Sequence, residues 1–106
     1  MAAYAVCLIA ETKFGAEITQ YLNDIDETLK PYGGEFRIHR GPYQKVEGVF
    51  TGDLIIIEFA DMHTVQQWYE SPNYNRIKFL RTNNSVSTMI FVDGVPEGHR
   101  ATDILN

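Results

Sequence analysis

The sequence predicts an α+β domain of the ferredoxin-like type, with the order β-α-β-β-α-β, an antiparallel sheet and helices on one of its faces. Two observations support this. Short apolar or alternating segments, typical of strands, occur near both ends of the chain and twice in its middle. Segments with helical periodicity lie between the first and second strands and between the third and fourth. A chain of 106 residues is of the right length for one such domain.

The first half of the chain supplies one strand, one helix and an interrupted second strand. Tyr4–Ala10 is apolar or small at nearly every position, which indicates a strand covered on both faces. From Phe14 to Tyr32, inward positions recur with the period of one helical face, at Ile18, Leu22, Ile25 and Leu29. Glu35–Arg40 alternates like a half-buried strand. It is predicted to continue through Tyr43–Val49 after Gly41-Pro42, where proline favours a bulge or a sheet edge.

The second half supplies a central strand and a broken helical segment. Asp53–Phe59 is an almost continuous apolar run. Asp61 is a good N-cap for a helix over Met62–Glu70. Pro72 predicts the first position of a further helix, which ends near Asn83, because its missing N–H costs nothing there.

The final strand is predicted over Ser85–Asp93, so that the domain covers residues 1–96 and a polar tail covers residues 97–106. Helices cover only one face of such a sheet, yet the strands are apolar on both. The uncovered face therefore requires a partner, and a second copy of the chain is the simplest one. We expect a homodimer whose sheet faces meet, with the tail either docked on the neighbour or loose.

Composition excludes several classes of partner. The net charge of −5 leaves no overall basic surface for nucleic acid or anionic membranes. No apolar run approaches the roughly 20 residues of a membrane span. Cys7 is the single cysteine and is expected to be a small buried residue, so no internal disulfide forms. We therefore expect a cytoplasmic location.

Several short sequence motifs resemble those of a known family. They are Lys30-Pro-Tyr-Gly-Gly-Glu-Phe, Gly41 to Glu47-Gly48, Ile57-Glu58-Phe59, Trp68-Tyr-Glu-Ser-Pro-Asn-Tyr74, Leu80-Arg81 and Phe91-Val-Asp-Gly-Val95. Together, over roughly residues 3–95, the chain resembles domain-of-unknown-function family thirteen-thirty, in the dimeric α+β barrel superfamily. The resemblance implies a ferredoxin-like dimer with a pocket between sheet and helices, and no established reaction. His39-Arg40-Gly41 is bulkier than the corresponding run of the family.

Two residues are candidates for acid–base catalysis. Glu58 shares a strand face with Leu54 and Ile56, where an ionised carboxylate is costly without a partner. It could act as a general base or hold a ligand hydroxyl. His39 could carry protons, because imidazole titrates near neutral pH. The structural alternatives are a carboxylate that is merely paired or exposed, and a histidine on a polar face.

Candidate ligand-binding residues are mainly aromatic. Trp68, Tyr69, Tyr74 and Tyr43 could form an aromatic wall, with core packing as the alternative. Arg81 could hold a ligand carboxylate or pair with Glu58, and a helix-capping or surface position is the alternative.

No metal or cofactor is expected. No histidines or carboxylates have the spacing of a metal motif, and glycine-rich phosphate or flavin motifs do not occur. The helix after Pro72 has no histidine that could bind haem, unlike haem-degrading members of the superfamily. Two function classes remain open. One is a small-molecule-binding homodimer, including a cofactor-free, oxygenase- or isomerase-like enzyme acting on a small aromatic or carboxylate compound. The other is a non-catalytic dimeric binding or scaffold protein.

Overall fold

Four strands and three helices follow one another in the predicted order. The computed structural model describes residues 1–105. Its elements are β1 (Ala3–Thr12), α1 (Ala16–Leu29), β2 (Glu35–His39), β3 (Asp53–Phe59), α2 (Met62–Glu70), α3 (Pro72–Thr82) and β4 (Ser85–Asp93). The strands form one sheet in the order β2-β3-β1-β4, and each neighbouring pair is antiparallel. This confirms the ferredoxin-like prediction.

Local signals define the second helical segment as two helices. The Asp61 side chain accepts a hydrogen bond of 2.8 Å from the backbone N–H of Thr64, which satisfies one free donor at the start of α2. Ser71 ends α2 in an extended conformation and its hydroxyl caps α3 by accepting from Tyr74 N–H. Pro72 occupies the first turn of α3, as predicted.

The two faces of the sheet differ because side chains alternate along each strand. On the helix face, β1 contributes Ala3, Ala5 and Cys7, opposite Phe59, Ile57 and Ile55 of β3. These small residues allow the helices to approach closely. The core that results lies between the sheet and the helices and includes Trp68 and Tyr74.

The opposite face, which we call the open face, has no covering element within residues 1–105. Its β1 residues are Tyr4, Val6 and Leu8, which pair with Glu58, Ile56 and Leu54. From β4 it receives Val86, Ile90 and Val92, all exposed. A mostly apolar exposed face of this kind is the pattern from which a second subunit was predicted.

The prediction that the second strand continues through Tyr43–Val49 is wrong. The ladder between β2 and β3 ends where Arg40 N–H donates to the carbonyl of Leu54. Arg40 and Gly41 then adopt φ values of 79° and 117°, which turn the chain away from the strand direction. Residues 40–52 form a loop instead. The proline was predicted to favour a bulge or a sheet edge, and β2 is the edge strand. The register of β2 with β3 also shifts between Phe36 and Ile38, before the proline.

Two smaller features refine the expectations. On α1, the predicted inward residues Ile18, Ile25 and Leu29 are buried, but Leu22 is exposed and Tyr21 is buried in its place. In the tail, Ala101–Leu105 form a 3₁₀ turn in which Ile104 is exposed, while Asn106 lies outside the described residues. Docking of this tail on a neighbour stays a prediction. No helix within residues 1–105 is both long enough and apolar enough to cross a membrane.

Candidate functional site

A cavity of about 230 Å³ lies on the helix face of the sheet, under the N-terminal half of α1. Most of its lining is apolar, from Ala5, Ile9, Ile18, Leu22, Ile25, Ile55, Ile57 and Met89. The polar lining groups occupy two places, an interior group around Arg81 and a rim that includes His39. An apolar cavity with a few convergent polar groups is typical of a small-molecule site.

Arg81 forms the interior polar end of the cavity. It lies in the last turn of α3 and is only 5% exposed, so the alternative of a surface position is wrong. Its Nη1 donates a hydrogen bond of 2.8 Å to the hydroxyl of Ser87, whereas its buried Nε–H has no partner within residues 1–105. No carboxylate of the described chain forms an ion pair with it. A buried arginine without an acidic partner is unusual and costly.

Two tyrosine hydroxyls lie near this guanidinium but cannot neutralise it. The hydroxyl groups of Tyr21 and Tyr74 share a buried hydrogen bond of 2.8 Å. Burial raises the pKa of Tyr21 well above its usual value and raises the pKa of Tyr74, so both hydroxyls stay protonated near neutral pH. Burial is the largest single influence on the pKa of Arg81 and lowers it, but the interactions with Tyr74, Tyr21 and Cys7 together raise this pKa above its ordinary value, and the guanidinium stays charged. The cavity therefore contains an uncompensated positive charge.

The rim of the cavity is charged but internally balanced. Arg40 Nε donates to a carboxylate oxygen of Asp53 at 3.2 Å, and the guanidinium also lies 5.7 Å from the ring centroid of the exposed Phe14. The His39 ring stacks on Phe36 at 4.6 Å between centroids. Of the two predicted acid–base residues, His39 lines the cavity.

Glu58, the other predicted acid–base residue, lies on the open face and does not line the cavity. Its carboxylate accepts a hydrogen bond of 3.0 Å from Arg37 Nε, and Arg37 also contacts Glu35. The anticipated partner of Glu58 is therefore a basic side chain on the adjacent edge strand. The structure does not bring Glu58 and Arg81 together, because they belong to opposite sides of the sheet.

The predicted aromatic wall is divided between core and surface. Trp68 is fully buried, with its ring centroid 4.2 Å from that of Tyr74, and its Nε1–H donates to Thr28 Oγ1 at 3.0 Å. Tyr69 packs partly buried beside Trp68, with Lys78 Nζ 4.6 Å from its ring. None of the three aromatic residues lines the cavity.

Tyr43 occupies a separate groove of about 490 Å³, which is more open to solvent and lies beside the 40–52 loop. Its hydroxyl donates to the carbonyl of Gly52 at 2.8 Å, and its ring lies 5.4 Å from that of Phe50. These contacts hold the loop together. We consider the cavity under α1 the better ligand site, because it lies between helix and sheet and is less open to solvent than this groove.

Sequence reasoning did not select two residues of the interior polar end. Tyr21 lies three residues after Ile18 and four before Ile25, a spacing that could have placed it on the inward face of α1. Ser85 was placed in a strand but not in a site; its hydroxyl donates to the carbonyl of Arg81 at 2.7 Å. Cys7 lies in the cavity wall, where burial raises the pKa of its thiol and makes it a poor nucleophile.

Within residues 1–105, no group of three or more His, Cys, Asp or Glu side chains is placed to hold a metal ion. The fold and cavity together define the class: a small ferredoxin-like α+β domain with a mostly apolar cavity between helix and sheet and one buried cation in its lining.

The chain belongs to the DUF1330 family, described as a domain of unknown function, whose family model matches residues 2–95. This confirms the family resemblance that was predicted from the short sequence motifs. None of the curated proteins matches the chain.

Solved structures resemble the chain in fold. RPA0582, a protein of unknown function from Rhodopseudomonas palustris, has a TM-score of 0.65 at 13% identity, over 90% of this chain and 83% of that one. A dimeric ferredoxin-like protein of unknown function from Jannaschia sp. CCS1 has a TM-score of 0.65 at 14% identity, over 89% and 100%. SnoaB, a cofactor-independent oxygenase from Streptomyces nogalater, has a TM-score of 0.54 at 9% identity, over 93% and 97%.

Proposed function

We propose that this protein is a homodimer that binds a small aromatic or carboxylate compound in the cavity under α1. The observation that supports this most is the cavity itself, which is apolar and holds few convergent polar groups. Its volume of about 230 Å³ is about one and a half times that of an engineered cavity of about 150 Å³ that binds benzene. A compound with one ring is of suitable size.

Binding is tested by filling the cavity from its sheet side. The Cys7→Leu variant extends a larger apolar side chain from β1 into the cavity and is expected to abolish thermal shifts caused by small aromatic acids and phenols. The matched control is Cys7→Ala, which removes the thiol without filling the space and should retain those shifts. Equal ligand-induced shifts in Cys7→Leu and the unaltered protein would refute the proposed location, provided that circular dichroism shows both to be folded.

The homodimer is proposed to form through the open face. Support comes from the exposed apolar residues of that face and from the dimeric state given for the Jannaschia protein. Charging the interface on both subunits should separate them, because like charges would meet in a desolvated contact. Light scattering should therefore report a dimer for the unaltered chain and a monomer for Ile90→Lys. The control is Phe79→Lys on α3, whose residue is 48% exposed against 49% for Ile90. A monomeric unaltered chain at micromolar concentration would remove this part of the proposal.

The catalytic form of the proposal is a cofactor-free enzyme of the oxygenase or isomerase type. SnoaB is a cofactor-independent oxygenase with a similar fold, and His39 at the cavity rim is the group we propose for proton transfer. Oxygen consumption and substrate isomerisation, followed with the compounds that bind, would test for turnover. Turnover that persists in His39→Gln would remove His39 as the proton carrier.

The alternative is a non-catalytic dimeric binding or scaffold protein. The pairing of Glu58 with Arg37 and the packing of Trp68 in the core favour this reading for those residues, since neither touches the cavity. Absence of any thermal shift across a broad library of acids and phenols would support the scaffold.

A further inference from the structure

The interior end of the cavity carries a charge that the protein itself does not compensate. The Arg81 guanidinium lines the cavity, donates through Nη1 to Ser87, and has a buried Nε–H with no partner within residues 1–105. The nearby Tyr21 and Tyr74 hydroxyls donate and accept hydrogen bonds but supply no negative charge. An anion that enters the cavity would find an unused N–H donor and an unpaired cation.

The rest of the cavity defines what that anion must be attached to. Between Arg81 and the rim, the wall consists mainly of aliphatic side chains from α1, β1 and β3, such as Ile18, Ile25 and Ile55. Transfer of an apolar body onto such a wall is favourable, whereas additional polar groups would lose their hydration without replacement. The wall therefore selects a molecule with one polar end and an apolar body.

The cavity also restricts the charge that the polar end of the ligand can carry. One buried cation can balance one negative charge, and a dianion such as a phosphate monoester would keep an uncompensated charge in an apolar cavity. At the rim, Arg40 is already paired with the carboxylate of Asp53, so it is not a free cation. A monocarboxylate meets these conditions, since its planar oxygens accept hydrogen bonds from a guanidinium.

We propose that Arg81 binds the carboxylate of a monocarboxylic acid with a single ring or a short acyl chain, whose apolar body lies under α1. This inference rests on the proposed function and adds the chemical class of the ligand and the residue that selects it. Arg81 is a binding residue in this proposal, and no bond of the ligand is broken.

The test compares an acid with its neutral isostere in the unaltered protein. Phenylacetate and phenylacetamide have nearly the same shape, so a difference in their affinity, measured by calorimetry or by NMR titration, reports the charge. We expect phenylacetate to bind at least about tenfold more tightly, a factor that corresponds to about 1.4 kcal/mol. Equal affinity, or tighter binding of the amide, would overturn the role of Arg81 while leaving a ligand cavity in place.

Variants locate the effect at one residue. Arg81→Gln should remove the preference for the acid, and Arg81→Lys should retain part of it. Arg76→Gln is the matched control, because Arg76 lies on the same helix and is exposed. A preference that survives in folded Arg81→Gln refutes the assignment; if that variant does not fold, the acid and amide affinities of the unaltered protein decide. Failure of both compounds and of every other small acid and phenol to bind would overturn the proposed function itself.

Discussion

The buried hydrogen bond between Trp68 and Thr28 allows a sharp test of how the core is held together. Trp68 Nε1–H donates to Thr28 Oγ1 at 3.0 Å, and the same hydroxyl donates to the carbonyl of Ile25 at 2.7 Å. Thr28→Val keeps the shape of the side chain but leaves the indole N–H without an acceptor. A stranded buried donor costs about 1–3 kcal/mol, a substantial part of the roughly 5–15 kcal/mol that stabilises a domain.

The magnitude can be isolated with a double-mutant cycle. Trp68→Phe removes the donor and part of the ring volume, so it should cost less than the about 3–5 kcal/mol typical of replacing a buried aromatic residue by alanine. Adding Thr28→Val to that variant should cost about 1–2 kcal/mol less than in the unaltered protein, because no N–H is left to strand.

The free energies of unfolding are measured by urea titration with far-UV circular dichroism, at one protomer concentration because dimerisation would make them concentration-dependent. Thr19→Val on α1 is the control: the Thr19 hydroxyl donates only to the carbonyl of Gly15 at the helix surface, and its loss should change little. Additivity of the two core substitutions within about 0.5 kcal/mol would refute the coupling.

Two further substitutions test the loop and the open face. Gly52→Ala should lower the urea midpoint by more than a typical surface substitution does. Gly52 has φ +105°, and a Cβ at this position would clash with the carbonyl oxygen of Ile9. An unchanged midpoint would contradict this expectation and show that the loop relaxes without cost. Glu58→Gln should leave the affinity for cavity ligands unchanged, because Glu58 pairs with Arg37 on the open face and does not line the cavity. A loss of ligand affinity or turnover in this variant would restore Glu58 as a functional residue.

The strands and helices could be predicted because their signals are local. Asp61 and Pro72 marked the helix starts, and the apolar run of Asp53–Phe59 marked the central strand. The strand prediction for Tyr43–Val49 was wrong although its side chains do alternate. Whether this segment pairs with another strand depends on the path of the chain at Arg40 and Gly41, which turn it away from the sheet. Strand pairing is a long-range property, and the positive φ of Arg40 has no simple signal in the sequence.

The candidate site was harder to predict because it depends on which face each side chain occupies. Consecutive side chains of a strand point to opposite faces of the sheet. Glu58 therefore lies on the open face, away from the cavity, whereas Cys7 lies on the helix face and lines it. The burial of Arg81 was missed for a related reason. Its position in the last turn of α3 suits a surface cation, and only the packing of α3 against α1 and β4 encloses it.

The same alternation explains why the cavity lies where it does. Along the helix face of β1, Ala3 leaves space that the core cluster containing Trp68 and Tyr74 fills, and Ala5 lies at the boundary, since it belongs to that cluster and also lines the cavity. Further along, Cys7 is also a small residue, but neither of those aromatic rings lines the space above it, which α1 covers with aliphatic side chains and Tyr21. Small residues thus allow close packing at one end of the sheet and leave a cavity at the other. Because Arg81 lines that cavity without an acidic partner, the space suits an anionic occupant better than a purely apolar one.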